Sequence, residues 1–211
     1  APFAPSWETV APGTHLATVG PGLTAMVTEL GGALVVVEAP AQHPLLIGIP
    51  SSDAPGSNAA SETLLELIGR HLPGRAIRAL VVTHLHSDHA GGVRPFVAAG
   101  VPVIGPRGAA SFIEAIVRNP LRRGADALAR APRAAQVTEV GDSLVLEGGG
   151  RRLVLYEVGS NPHTEAMLFA HLPAEALGFQ GDLFYPEPDR AAIIPGREPV
   201  SRFFARWLHD H

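Results

Sequence analysis

The chain has 211 residues, 46% of them hydrophobic and 17% charged, with a net charge of -4; this is enough apolar material for one α/β or sandwich core and too little charge for a disordered chain. All 16 basic residues are arginine, which excludes Schiff-base and P-loop lysine chemistry, and the acidic balance excludes the basic stripe of a general nucleic-acid binder. Without cysteine there can be no disulfide, thiolate nucleophile or thiolate ligand, so any transition metal must be held by histidine and carboxylate.

Residues 1–7, rich in proline, are read as an extension or linker remnant, and residues 8–211 as a single domain. β-like runs follow at Thr14–Val19, Leu23–Leu30, Ala33–Glu38 and Leu45–Ile49, punctuated by Gly20-Pro21-Gly22, Gly31-Gly32 and Ala39-Pro40. A helix with Leu64, Leu65, Ile68 and Leu72 on one face starts at Asn58 or Ser61 as N-cap and ends at Pro73-Gly74. The short buried strand Ile77–Val82 runs into a dense histidine cluster. Beyond it the pattern predicts a helix at Val93–Ala99, a strand at Val101–Ile104 and a helix at Ala109–Arg118. Asn119–Ala135, rich in Arg and Ala, reads as a lid or surface helix. Strands are expected at Ser143–Glu147, Arg151–Val158, Ala166–Ala170 and Leu177–Gln180, and an amphipathic helix at Pro199–His211. No apolar run reaches the length of a membrane span. The composition suits a soluble protein of the cytoplasm or of an exported compartment alike.

The chemistry lies in His84-Leu85-His86-Ser87-Asp88-His89. A chance H-x-H-x-D-H in a chain of this composition is on the order of one in a thousand. In an extended segment His84 and His86 point the same way and can share one ion, while Asp88 and His89, after the turn at Ser87, can face a second. Ala90-Gly91-Gly92 then lets the backbone turn away closely packed. The alternative, a solvated polar loop, leaves so dense a ligand set at the end of a buried strand unexplained.

These residues resemble the signature of the metallo-β-lactamase fold superfamily, and the resemblance covers nearly the whole chain. Gly159-Ser160-Asn161-Pro162-His163-Thr164 and Phe179-Gln180-Gly181-Asp182-Leu183-Phe184 follow in the order that family shows. The resemblance implies an αββα sandwich of two mixed β-sheets flanked by helices. It implies a first metal site of His84, His86 and His163, a second of Asp88 and His89, and Asp182 as the bridging carboxylate. The expected activity is that of a zinc hydrolase holding one or two ions, with Mn2+ or Fe2+ as other candidate metals. The expected partner is a small-molecule substrate with an ester, thioester, lactone or related bond, with Asp88 orienting the nucleophile and Tyr185 a candidate catalytic residue placed like the carbonyl-polarising tyrosine of acyl-homoserine lactonases; a turn tyrosine before Pro186 is the alternative for that residue.

Other branches fit less well. Asp182 stands where one β-lactamase branch has a cysteine ligand, and His86 stands where the flavodiiron branch has glutamate. A mononuclear non-haem iron dioxygenase of the same fold and a non-catalytic member are the competing functions. Thr164-Glu165-Ala166 departs from the Thr-Pro-Gly frequent in the family. The family also draws a final site-two histidine from a later strand; His209 and His211 lie on a terminal helix instead, so the domain is expected to be incomplete at its C-terminal end. His15, His43, His71 and His171 have no partner at ligand spacing and are read as structural or exposed.

Overall fold

A computed structural model describes residues 3–41, 58–119, 125–187 and 192–211. The first half of the chain forms β1 (Ser6–Ala11), β2 (Thr14–Gly20), β3 (Leu23–Leu30) and β4 (Ala33–Val37), joined by tight turns into an antiparallel meander. Helix α1 (Ala59–His71) then carries the chain to β5 (Ile77–Val81), which pairs parallel with β4. Helices α2 (Ser87–Ala90) and α3 (Arg94–Ala98) lead to β6 (Val103–Gly105), and α4 (Ala109–Arg118) and α5 (Ala127–Arg130) lead to β7 (Val137–Glu139), both strands again parallel. The seven strands lie in sequence order in one mixed sheet.

The second sheet, ordered β11-β10-β9-β8, is antiparallel throughout its described strands: β8 (Ser143–Gly148), β9 (Arg151–Glu157), β10 (Leu168–Leu172) and β11 (Leu177–Phe179). Helix α6 (Glu198–Asp210) closes the chain.

Alternation of side chains sorts the strand residues into layers. On β4, Leu34 and Val36 face the helices, where they meet Leu64 and Ile68 of α1, Phe96 of α3 and Ile113 of α4. Val35 and Val37 face the other way and pack with Leu153, Leu155, Leu168 and Ala170 of the smaller sheet. Phe169 points out of that sheet and joins Val200 and Phe204 beneath α6. The result is the expected helix–sheet–sheet–helix sandwich. Among the described residues no helix is long and apolar enough to cross a membrane.

Several elements differ from the sequence reading. Ser6 and Trp7 belong to strand β1 and not to an extension; among the described residues this edge strand pairs only with β2 and has no buried residue, so it lacks the apolar alternation that marks a buried strand. Strand β7 is three residues long and was hidden in a polar stretch. Asn58 sits at the N-cap of α1, but its amide donates to Asp126 Oδ2 (2.9 Å), and Ser61 is buried and donates to the Pro40 carbonyl (2.9 Å). Neither side chain caps the helix: Asn58 has a helical backbone (φ -78°, ψ -16°) in place of the extended one a cap uses, and the Ser61 hydroxyl is committed to the Pro40 carbonyl. The expected strand Leu45–Ile49 and His43 lie outside the described residues. Of the Asn119–Ala135 stretch, the described part holds the single-turn helix α5.

One buried ion pair holds the helical layer. The guanidinium of Arg94 meets the Asp126 carboxylate on two edges (2.7 and 2.9 Å) and donates to the carbonyls of Ile116, Val117 and Asn119 at the end of α4. Hydrogen bonds from Arg94 hold the Asp126 carboxyl down to about 2. Replacing Asp126 with alanine strands a buried guanidinium and is expected to cost about 3–5 kcal/mol in urea unfolding. Because the folded carboxyl titrates below its unfolded value of 3.8, the stability it lends is complete above pH 3.8 and disappears as pH falls through about 2; an acid titration of the Asp126→Ala variant should lack that component.

Candidate metal centre

Strand β5 ends at Val81, and the chain continues through buried Thr83 and His84 to the rim of the sandwich. The Thr83 carbonyl accepts from the Leu168 amide (2.7 Å), so the larger sheet is pinned to β10 of the smaller one beside the cluster. His86 keeps an extended backbone (φ -69°, ψ 150°), and its carbonyl starts α2 by accepting from the amides of His89 and Ala90. The turn puts Asp88 and His89 on one helical turn. Backbone bonds from Ala39 to His89 O and from Gly92 to Ala39 O seat this turn on the end of β4. A Cβ on Gly92 would come within 2.4 Å of the Pro40 carbonyl, which is why glycine stands there.

His163 arrives from the smaller sheet. Its loop is braced at both ends by Glu157 Oε1, which accepts from the amides of Gly159 and Met167 (both 3.0 Å). Asn161 Oδ1 accepts from the amides of His163 and Thr164 and fixes the tip. This network gives the loop a defined shape without the Thr-Pro-Gly turn. Asp182 follows β11 in a turn closed by Gln180 Oε1, which accepts from the amides of Leu183 and Phe184.

The structure brings all six expected residues together. Donor atoms of His84, His86, His163 and Asp182 lie within 4.8 Å of one another, and so do those of Asp88, His89 and Asp182. Asp182 is common to both groups: its Oδ2 faces His163 Nε2 at 3.2 Å and its Oδ1 faces His89 Nε2 at 3.5 Å. His209 and His211 stay at the end of α6, where His211 stacks on Trp207 (4.5 Å). His71 stacks on Trp7 and His171 on Phe169, and His15 contacts Thr9. None of these is in either donor group among the described residues.

The residue that sequence reasoning missed is Glu38. It is 2% exposed and sits at φ +89°, in the left-handed region, at the end of β4. Its Oε1 accepts the Thr83 hydroxyl (2.5 Å) and the His89 Nδ1–H (3.1 Å). A carboxylate can only accept, so the single Thr83 proton is committed to Glu38 and its oxygen must accept from His84 Nδ1, 3.1 Å away. Both imidazoles therefore present Nε2 to the centre. No sequence signal distinguishes Glu38 from any other strand-end glutamate.

The fit of this donor set to a divalent ion follows from these assignments. The Nε2 atoms of His84 and His163 face each other at 3.3 Å, and the His84 Nε2 presents a lone pair in a buried position. Burial, then the neighbouring His89, pushes His84 down to about 2, so it is neutral and a ligand by character. Burial also lowers His86, with His163 beside it. For His89 burial opposes the charge, but the carboxylates of Glu38 and Asp182 outweigh it and raise the imidazole to about 11. Burial would raise Asp182, yet the hydrogen bonds from His163 and His89 hold it well below the usual carboxylate range. Without an ion, the proton on His89 supplies the positive charge that the carboxylates require; an ion held by these residues would supply that charge instead.

The family model described as the metallo-beta-lactamase superfamily matches residues 55–209. The chain belongs to that superfamily. Among solved structures, the metallo-beta-lactamase from Pontibacter korlensis is 20% identical, with 97% of this chain aligned to 80% of that one and a TM-score of 0.55. Metallo-beta-lactamase IND-7 is 16% identical over 98% of this chain and 84% of its own, with a TM-score of 0.65. FIM-1 from Pseudomonas aeruginosa, in its mono-zinc form, is 15% identical over 98% and 84%, with a TM-score of 0.60. At these identities the likeness is one of fold. No curated protein matches the sequence.

In this superfamily member, Gly181 is as constrained as any ligand. A Cβ there would lie 2.5 Å from Thr83 Oγ1 and 3.1 Å from His84 Nδ1, inside the Glu38 network. Gly181→Ala is expected to destabilise the fold by about 1–3 kcal/mol, read by thermal unfolding. Glu38→Gln removes the nearest of the three carboxylates facing His89, so NMR titration of the metal-free variant should find that imidazole losing its proton well below pH 11, the value the intact cluster sustains.

Proposed function

We propose that the protein is a zinc-dependent hydrolase of small acyl compounds, with esters, thioesters and lactones as the substrate class. The observation that carries this reading is the convergence of imidazole Nε2 atoms on Asp182, with the orientation of His84 and His89 set by Thr83 and Glu38. His84, His86 and His163 would hold one ion and Asp88 and His89 a second, with Asp182 shared between them. Zinc is favoured because the donors are imidazole and carboxylate, and the mono-zinc form of FIM-1 lends support by fold. When bound, such an ion lowers the pKa of a coordinated water to about 7 and polarises a carbonyl it touches.

The chain's own residues supply the rest. Asp88, partly exposed at the start of α2, lies where its carboxylate can orient the attacking water and take its proton. His86 is exposed, so the centre opens to solvent on its side and a substrate can approach there. Tyr185 follows Asp182 by three residues, and its hydroxyl is buried with no hydrogen-bond partner among the described residues. Burial, then the negative charge of Asp182, pushes the phenol well above its usual range, so it stays protonated and can donate to a carbonyl oxygen.

Zinc titrated into the metal-free protein should bind saturably, and Asp182→Ala should weaken binding and lower kcat/KM on ester or lactone substrates by at least about a hundredfold. Failure of the wild-type protein to bind zinc by calorimetry would overturn the reading. Tyr185→Phe should lower kcat on a lactone by about a hundredfold while zinc affinity stays the same; an unchanged kcat would reduce Tyr185 to a packing residue.

A further inference from the structure

We propose that Glu157 is a positioning residue for the metal centre, whose carboxylate sets the place of His163 relative to His84 and so the affinity of the site they share; this rests on His163 acting as a ligand, as read above. His84 and His86 follow β5 of the larger sheet, so one chain segment fixes their spacing. His163 is the imidazole of that donor group carried by the smaller sheet. Its place depends on how its loop is tied down.

The loop leaves β9 at Glu157 and returns to β10 at Leu168, its register partner. Glu157 Oε1 accepts from the Gly159 and Met167 amides, so one oxygen joins both ends of the loop's neck. The Val158 amide adds a backbone bond to the Met167 carbonyl (2.9 Å). Val158 and Met167 belong to the same buried cluster as Leu183, Val200 and Phe204. The next amide, that of Leu168, donates to the Thr83 carbonyl (2.7 Å), and Thr83 immediately precedes His84. A short path of bonds thus runs from Glu157 through Met167 and Leu168 to the residue beside His84. At its far end the Nε2 atoms of His84 and His163 stand 3.3 Å apart. The Asn161 bonds stay within the loop and shape its tip without joining it to the strands. The other side-chain contact across the loop, Ser160 Oγ to Glu165 Oε2, is exposed and long (3.5 Å). Without the Glu157 oxygen, ordering the neck would fall to ion binding, which would lose affinity by that entropy.

The test measures zinc affinity of the full chain by competition with a chelating dye. Glu157→Ala should weaken binding by about tenfold or more. Glu157→Gln keeps an oxygen for both amides and should stay within about threefold of wild type. In a His163→Ala background, adding Glu157→Ala should cost no further affinity, because the ligand through which Glu157 acts is gone. An equal loss in both backgrounds would mark a merely structural role and overturn the proposal, as would unchanged affinity in Glu157→Ala. If the alanine variant does not fold, Glu157→Asp, whose shorter arm withdraws the oxygen, takes its place in each comparison. The metal-free protein gives a second readout: the His163 ring signals in NMR should shift or broaden in Glu157→Ala and keep their positions in Glu157→Gln. Ring signals unmoved by the alanine change also overturn it. If wild type binds no zinc, the hydrolase reading fails, and the ring signals alone decide whether Glu157 positions His163.

Discussion

A single buried carboxylate orients the centre of this molecule. Glu38 is held at the end of β4 in a left-handed backbone conformation that costs a glutamate about 1–3 kcal/mol, and it is removed from solvent. Both costs are met because Thr83 and His89 donate to it. Through Thr83 it also governs His84, so two imidazoles from different parts of the motif answer to one acceptor. The dense histidine motif thus needs a partner 46 positions upstream of His84 before its nitrogens face the right way.

The electrostatics follow from the same arrangement. Asp88, Asp182 and Glu38 surround the imidazoles, and burial strips away much of the solvent that would screen them. The protein resolves this without an ion by charging one histidine and keeping another neutral: His89 lies against carboxylates, while His84 is buried among imidazoles. Two histidines of one motif therefore differ widely in proton affinity because their neighbours differ, both being largely buried.

Much of this was legible beforehand. The motif His84–His89 can be read from the string because its spacing maps directly onto a strand end and a helical turn, which are local geometries. His163 and Asp182 are visible only as members of an ordered set, since each alone is an ordinary loop residue. Glu38 was invisible because its role is created by a backbone turn and by contacts 45 and 51 residues distant in sequence. Strand β1 is not legible in the sequence because an edge strand with no buried residue carries little hydrophobic alternation. Asn58 and Ser61 do not cap α1 because the Asn58 backbone is already helical and the Ser61 hydroxyl bonds to the Pro40 carbonyl, features that only the folded chain supplies. The loop around His163 departs from the family's usual turn, and its shape comes from Glu157 and Asn161 instead.

The origin of the donors has a mechanical meaning. His84, His86, Asp88 and His89 hang from the larger sheet, whereas His163 and Asp182 hang from the smaller one. At this rim the described backbone contact between them is the Leu168–Thr83 bond. A cation shared by both sets would act as a rivet through the two layers, drawing them together at their open edge. Loss of the ion would then loosen a seam as well as silence a reaction, and sliding of one sheet over the other would be coupled directly to occupancy.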